Sequence, residues 1–310
     1  MRCLYPRNVG FKSDGKTIAW SPKNLSKEYP KFQLPCGKCI ECRLDYSKNW
    51  AVRATHEAQL YRNNVFITLT YNEENIGNNK LDYRDFQLFI KRLRETVDEK
   101  LSYMVCGEYG SKTKRMHWHA IIFNYRPKDA IPHYKTELGD QVYTSHALTE
   151  LWGKGNTEFG SVTFKSAAYV ARYATKQLEH GNDSEHSFKP IFKTSRHRAI
   201  GKAWLEKYYK DIFNYGSVIL SGGKKTSIPR YYEKWMQKFH FEEYISYLTK
   251  VKHPKIIKAE EKSDELNQKF LTEKHEYQLI NPLGQMQTEI KSKRELAKAR
   301  LSLLKQFQKD

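Results

Sequence analysis

No stretch of 18 consecutive apolar residues occurs in this 310-residue chain, so a membrane-spanning helix is not expected. The opening residues, MRCLYPRNVGFKSDG, lack the apolar segment of a secretory signal. No lipidation motif or strongly apolar amphipathic helix offers a surface anchor. A soluble, intracellular protein with no membrane partner is therefore expected. Cysteine is scarce: there are five, an odd number, and three of them fall in CGKCIEC. That count excludes a disulfide framework and points to metal or free thiols. Internal repeats are missing, and so is the G-x-x-x-x-G-K-[ST] phosphate loop of a helicase, because SGGKKTS has the wrong spacing. Negative charge is also in short supply. Against 54 Lys and Arg stand 35 Asp and Glu, a net charge of +19, and the natural partner of such a surface is a polyanion, most often nucleic acid.

What the chain does have is aromatic surface, with 21 Tyr, 15 Phe and 6 Trp. Residues 1–50 are loop-rich, carrying Pro6, Pro22, Pro30 and Pro35 before the cysteine cluster. A helix is expected around 45–61. VFITLTY (65–71) then alternates in side-chain character as a strand does. LDYRDFQLFIKRLRETV reads as a helix capped by Asp82, with Phe86, Ile90, Leu93 and Val97 at core spacing. LSYMVCGE (101–108) and MHWHAIIF (116–123) are strand-like, and their short basic link suggests a hairpin. A polar insertion from Asn124 to about Gly153 and a strand at GSVTF precede SAAYVARYATKQL (166–178). In that helix Ala167, Val170, Ala171, Ala174 and Leu178 form one stripe, and Tyr169, Tyr173 and Lys176 gather on roughly the opposite side. The order of elements predicts an α+β protein with an antiparallel sheet covered on one face.

His117 and His119 sit at i and i+2, which on a strand puts both imidazoles on one face with Trp118 on the other. The hairpin adds Glu108 across from His117, completing a two-histidine, one-carboxylate set with open positions for a phosphate oxygen. Beside such a metal, a tyrosine attacking a phosphodiester forms a phosphotyrosine and retains the bond energy for rejoining. Two tyrosines on one helical face suit two successive transfers. Lys176, on the same face, suits a role in lowering a neighbouring phenol's pKa or neutralising the phosphate.

Taken in order, FITLTY, HWHAIIF and YVARYATKQ resemble the three motifs of HUH-type rolling-circle replication initiators. LPCGKCIEC, SRHRAIGKAWLEKY and PRYYEKW bring the resemblance closer to the replication initiators of the gokushoviruses, small single-stranded DNA phages of the Microviridae, and extend it over most of residues 1–235. The resemblance implies an HUH endonuclease-like antiparallel sheet of about five strands, with helices on one face and the metal pocket on the other. It implies nicking of one origin strand in supercoiled or single-stranded DNA, a 5′-phosphotyrosyl link, a free 3′ hydroxyl and final recircularisation. His117 and His119 would be ligands of Mg²⁺ or Mn²⁺, Tyr169 and Tyr173 the nucleophiles, and Lys176 the motif lysine. A host DNA polymerase and a separate host helicase are the expected partners, in the bacterial cytoplasm. SRHRAIG is less rich in Pro and Gly than the family pattern, a departure that concerns loop shape.

Cys36, Cys39 and Cys42, with Cys3 as the fourth thiol, are expected to hold a structural Zn²⁺. DNA contacts are expected from Lys112, Lys114 and Arg115 in the hairpin link and from Arg230, Tyr231 and Tyr232, where rings beside a cation suit base stacking. The expected divisions are a Cys-rich segment at 1–50, a nickase core at 51–185, a basic aromatic part of the catalytic domain at 186–254, and a charged helical tail at 255–310. Two other readings compete: a two-tyrosine transposase or plasmid initiator, and a non-catalytic zinc protein that binds single-stranded DNA. The second gives no reason for His117, His119 and the paired tyrosines.

Overall fold

The computed structural model describes residues 3–77, 79–110, 115–137, 139–176, 191–196 and 198–280. The chain divides into two compact units, the first running up to Tyr46 and the second starting at Ser47.

In the first unit, β1 (Arg7–Phe11) pairs antiparallel with β2 (Ile18–Ala19) and β3 (Phe32–Leu34). Val9 and Ala19 are its fully buried apolar side chains among the described residues. So small a core falls short of what an independent fold needs without a staple. That need directs attention to the cysteines. Helix α1 (Ile40–Ala58) starts just beyond Cys39 and continues into the second unit; it begins earlier than the expected residue 45.

The second unit continues with β4 (Asn64–Thr70), α2 (Tyr83–Glu95), β5 (Ser102–Tyr109), β6 (Met116–Phe123), β7 (Ile131–Lys135), β8 (Gln141–Thr144), α3 (His146–Trp152), β9 (Thr157–Ser161), α4 (Phe164–Lys176) and β10 (Ile191–Thr194). Then come α5 (Lys202–Tyr215), the short ladder of β11 (Val218–Ile219) and β12 (Lys225–Thr226), α6 (Arg230–Phe239), α7 (Phe241–Tyr247) and α8 (His253–Ile280). Strands β4 to β10 form one sheet in the order β10-β5-β6-β4-β9-β8-β7, with every pairing antiparallel.

Alternation along the strands sorts side chains onto two faces. Val65, Ile67 and Leu69 of β4, with Trp118, Ala120 and Ile122 of β6, meet Phe86, Phe89, Ile90 and Leu93 of α2 and Leu148 and Trp152 of α3. At roughly 2 kcal/mol for each fully buried large side chain, this face is the main source of stability. On the opposite face Met104, Cys106, Ile121 and Phe123 meet Ala51 and Ala54 of α1 and Ala167 and Val170 of α4. Small residues on both helices let them lie close to the sheet. A third cluster joins Val52 of α1 to Leu205, Phe213, Tyr232 and Trp235 of α5 and α6.

The α+β class and the antiparallel sheet agree with the sequence reading, and Asp82 caps α2 by accepting the Arg84 N–H at 2.9 Å. Two details differ. The sheet has seven strands rather than about five, because the polar insertion contributes β7 and β8 and the segment after α4 contributes β10. Helices cover both faces, because the alternation in β5 and β6 is apolar on each side. The strand expected at GSVTF is also displaced: β9 ends at Ser161 and α4 starts at Phe164. No described helix is long and apolar enough to cross a membrane.

Candidate active site

The β5–β6 register sets Glu108 directly opposite His117 and Cys106 opposite His119. Residues 116, 118 and 120 point into the α2 side of the sheet, so 117 and 119 project toward α1 and α4. Gly107, beside Glu108, is needed for packing: a Cβ there would lie 2.7 Å from the Trp118 ring. The imidazoles and the carboxylate converge, with His117 Nε2 and His119 Nε2 each 2.9 Å from Glu108 Oε1. All three candidate ligand atoms fall within 4.8 Å of one another.

The far sides of the rings explain this aim. His117 Nδ1 lies 3.1 Å from the Arg115 carbonyl, to which it donates, and His119 Nδ1 lies 3.0 Å from Thr68 Oγ1. With its Nδ1 proton committed to a carbonyl, neutral His117 turns a lone pair toward a carboxylate. Two acceptors at that separation call for a proton or a cation between them. Phe66 stacks on His119 with 5.6 Å between centroids and 7° between planes, fixing the ring's tilt. Burial works against charge on Glu108, but hydrogen bonds and charge interactions with His117 and His119 outweigh it and hold the carboxyl well below the usual range. Burial lowers His119, favouring the neutral, ligating form. The donor set, two imidazoles and one carboxylate, fits a divalent cation with positions left open.

Tyr169 reaches the same point from α4. Its hydroxyl donates to Glu108 Oε1 at 2.7 Å and lies 3.3 Å from His119 Nε2. Burial first, and then the Glu108 charge, raise the phenol above the ordinary tyrosine range. The Arg172 guanidinium lies 5.3 Å from the centroid of the Tyr169 ring. The expectation that Tyr169 faces away from whatever the apolar stripe packs on is corrected: its ring is half-buried against the same sheet face, edge-on to His119 at 4.9 Å. A helix lying on a sheet presents its flank as well as its underside. Tyr173 and Lys176 belong to the backbone of α4, and their side chains lie outside the described residues.

The cysteines also converge. Cys36 Sγ is 4.0 Å from Cys42 Sγ, and Cys39 Sγ is 3.8 Å from Cys3 Sγ. A tetrahedron with metal–sulfur legs of ~2.3 Å has edges of ~3.8 Å, so the spacing fits a four-thiolate ion. Backbone N–H groups of Cys36 and Cys39 point at Cys3 Sγ and Cys36 Sγ, each at 3.2 Å, as suits thiolates. None of the described cysteines forms a disulfide.

The other expected DNA contacts fare unevenly. Lys112 and Lys114 lie outside the described residues. Arg115 is engaged within the fold, donating to the Tyr71 carbonyl at 2.8 Å and pairing with Glu73 at 2.6 Å. The Arg230 backbone N–H donates to Asn49 Oδ1, leaving its exposed side chain on the surface. Tyr232 is a correction: it is fully buried, and its hydroxyl lies 3.0 Å from His56 Nδ1, so its ring is not offered for stacking. Tyr231 packs on the Arg53 guanidinium at 4.3 Å, a half-buried place in the fold. Sequence reasoning missed Thr68, Phe66 and Arg172. Arg172 carries a usable signal, three residues after Tyr169 on one helix. Thr68 and Phe66 depend on a strand register that the sequence does not display.

Fold and site together define a class: an α+β protein whose antiparallel sheet holds two histidines, a glutamate and a tyrosine hydroxyl at one point. Comparison with known proteins makes this more specific. A family model for replication-associated proteins of the ORF2 kind matches residues 64–178, the stretch from β4 to just past α4. The chain is 51% identical over 260 residues to "Replication-associated protein VP4" of Bdellovibrio phage phiMH2K, covering 81% of this chain and 82% of that protein. It is 30% identical over 281 residues to "Replication-associated protein ORF2" of Spiroplasma virus 4, covering 83% and 87%. The match to "Replication-associated protein ORF4" of Chlamydia phage 1, at 35% identity, covers 68% of this chain and 55% of the phage protein's length. No solved structure matches. The chain belongs to the gokushovirus-type replication-associated proteins of the Microviridae.

Proposed function

We propose that this protein initiates rolling-circle replication of a small single-stranded DNA phage by nicking one strand at the origin, with Tyr169 as the first nucleophile. The observation that carries the reading is the Tyr169 hydroxyl, 2.7 Å from Glu108 and 3.3 Å from His119. A phenol has no structural need for that position. Its oxygen attacks the scissile phosphorus, the bond to the 3′ oxygen breaks, and the 3′ oxygen leaves to pick up a proton. The strand's 5′ phosphate stays on the tyrosine, and the 3′ hydroxyl is free to prime synthesis by a host polymerase.

His117, His119 and Glu108 would hold Mg²⁺ or Mn²⁺, which supplies Lewis-acid polarisation of a phosphate oxygen. Thr68 and the Arg115 carbonyl orient the two imidazoles. Glu108 orients the phenol, and Arg172 places a cation beside the oxygen on which charge develops. Tyr173, one helical turn further along α4, is the acceptor for the second transfer that recircularises the displaced strand, and Lys176 neutralises phosphate there. Unwinding falls to a host helicase, and the work is done in the bacterial cytoplasm. Cys3, Cys36, Cys39 and Cys42 hold a structural Zn²⁺ that substitutes for the core the first unit lacks. Protein purified without chelator should carry one zinc per chain, and loss of that ion with Cys39→Ser should accompany loss of order in residues 3–46; a zinc-free wild type of unchanged stability sinks the assignment.

The deciding experiment incubates the protein with its cognate genome and Mn²⁺. A denaturant-resistant protein–DNA adduct should form and map to Tyr169 by mass spectrometry. Chelator and Tyr169→Phe should each abolish that adduct. An intact genome under these conditions, with DNA binding retained, would leave a non-catalytic binding protein.

A further inference from the structure

The histidines occupy one end of the sheet, and a second cluster of cations occupies the other. A cavity of about 360 Å³ is lined by Arg62, Asn63, Asn64, Arg126, Ser161 and Val162. Three separate elements build it: the link between α1 and β4, the chain leaving β6, and the end of β9. The residues lining it include no carboxylate. Among the described residues neither arginine is in an ion pair. Arg126 rests on the rings of Tyr143 and Phe159, at 4.9 and 5.7 Å, which positions its guanidinium without neutralising it. Asn64 is rigid, its amide donating to the Ala58 and Tyr61 carbonyls at 3.0 Å. Helix α4 starts two residues beyond Val162, so the positive end of its dipole adds to the same field. Two unneutralised guanidiniums on one cavity raise the energy of the empty state, and an anion with several acceptor oxygens relieves it.

We infer that this cavity binds a backbone phosphate of the DNA strand on which the tyrosine acts, at a fixed distance from the nick. The distance follows from register. Asn64 pairs with Phe123 and Thr70 with His117, and six strand residues at ~3.3 Å span about 20 Å. At ~3.4 Å per nucleotide along a duplex strand, that equals about six nucleotides. The cavity therefore measures out flanking DNA, and substrates that stop short of it bind without its help. The inference rests on the proposed function for the position of the nick, while its test is independent of cleavage.

Binding is measured in EDTA with protein carrying Tyr169→Phe, on origin duplexes extended in steps from two to twelve base pairs on either side of the cleavage point. Arg62→Glu and Arg126→Gln are the test variants, Arg126→Lys the conservative one, and Lys258→Ala, an exposed cation on α8, the control for net charge. Without Arg62 or Arg126, the slope of log affinity against log salt should fall by about 0.9 for each phosphate no longer held. The change should occur on duplexes longer than about six base pairs on one side, and short duplexes should bind all variants alike. Arg126→Lys should restore most of the slope, and all variants should melt like the parent. Identical slopes at every length, or the same fall with Lys258→Ala, would overturn the inference. Inorganic phosphate raising the melting temperature of the parent but not of Arg62→Glu, with DNA slopes unchanged, would overturn it in favour of a free anion site. If the slopes change as stated but no covalent adduct forms with unmutated protein, the nicking reading fails and the phosphate site stands.

Discussion

Thr68 stands across the ladder from His119 and holds its Nδ1 at 3.0 Å, which makes it the smallest change able to separate aim from ligation. Thr68→Val keeps the shape and the β propensity but removes the hydroxyl. Partners of this kind affect metal affinity by about 10- to 100-fold. Mn²⁺ titration followed by calorimetry should therefore show at least ~10-fold weaker binding for Thr68→Val, with Thr68→Ser close to the parent. Equal affinities would mean that Phe66 alone sets the ring. At this scale much of the site was legible. Two histidines at i and i+2 announce a shared strand face, and the short link after Glu108 announces its place opposite His117. The chemistry of Tyr169 was legible too, but not its burial. Nothing in the helical period says how far a ring on the flank of α4 leans toward the sheet.

Among the elements, α1 is the one whose partners the sequence hid. Arg53 lies between Trp50 and Tyr231, at 4.1 and 4.3 Å, and donates to the Ile200 carbonyl. His56 stacks on Trp204 at 3.5 Å and meets the Tyr232 hydroxyl. These partners come from segments nearly 150 residues or more along the chain, beyond any periodicity argument. That is why aromatic, basic PRYYEKW reads as a DNA-stacking surface when half of it fastens α6 to α1. Gly201 belongs to the same junction. Its φ is +79° and its N–H donates to Glu57 Oε2 at 2.8 Å. A Cβ there would run into the Tyr232 hydroxyl and lie 3.0 Å from the Arg53 carbonyl. Adding the left-handed cost of ~1–2 kcal/mol to that collision, Gly201→Ala should destabilise the protein by about 3 kcal/mol. Calorimetry should show this as a melting temperature lower by ~6–10 °C; an unchanged melting curve would mean that the junction yields freely. The departure noted at SRHRAIG thus falls on a structural joint.

For the whole molecule, His56 sets a limit on acid tolerance. Burial lowers its pKa from 6.5 to about 3, so below pH 6.5 the unfolded chain takes up a proton that the folded chain refuses. Stability from this residue is complete above pH 6.5 and drains away as pH falls toward 3. Between pH 7.5 and 5 the loss should be about 2 kcal/mol, at ~1.4 kcal/mol per pH unit below 6.5. Glu108, another buried group with a lowered pKa, loses its contribution only below the ordinary glutamate range, outside that window. Urea unfolding at the two pH values should show the drop in the parent and a flatter profile in His56→Gln; parallel profiles would contradict a neutral buried imidazole. The spacing of the site along the chain also has a kinetic side. Glu108, His117 and His119 share one hairpin, whereas Tyr169 follows fifty residues after His119, beyond three more strands and a helix. Hairpins close in ~1–10 μs, and a ribosome adding ~5–20 residues per second takes several seconds to cover those fifty. The ligand trio is therefore made, and able to close on β4, before its nucleophile has been synthesised. A nascent chain passes through a stage in which it can capture a divalent ion and cannot yet cut DNA.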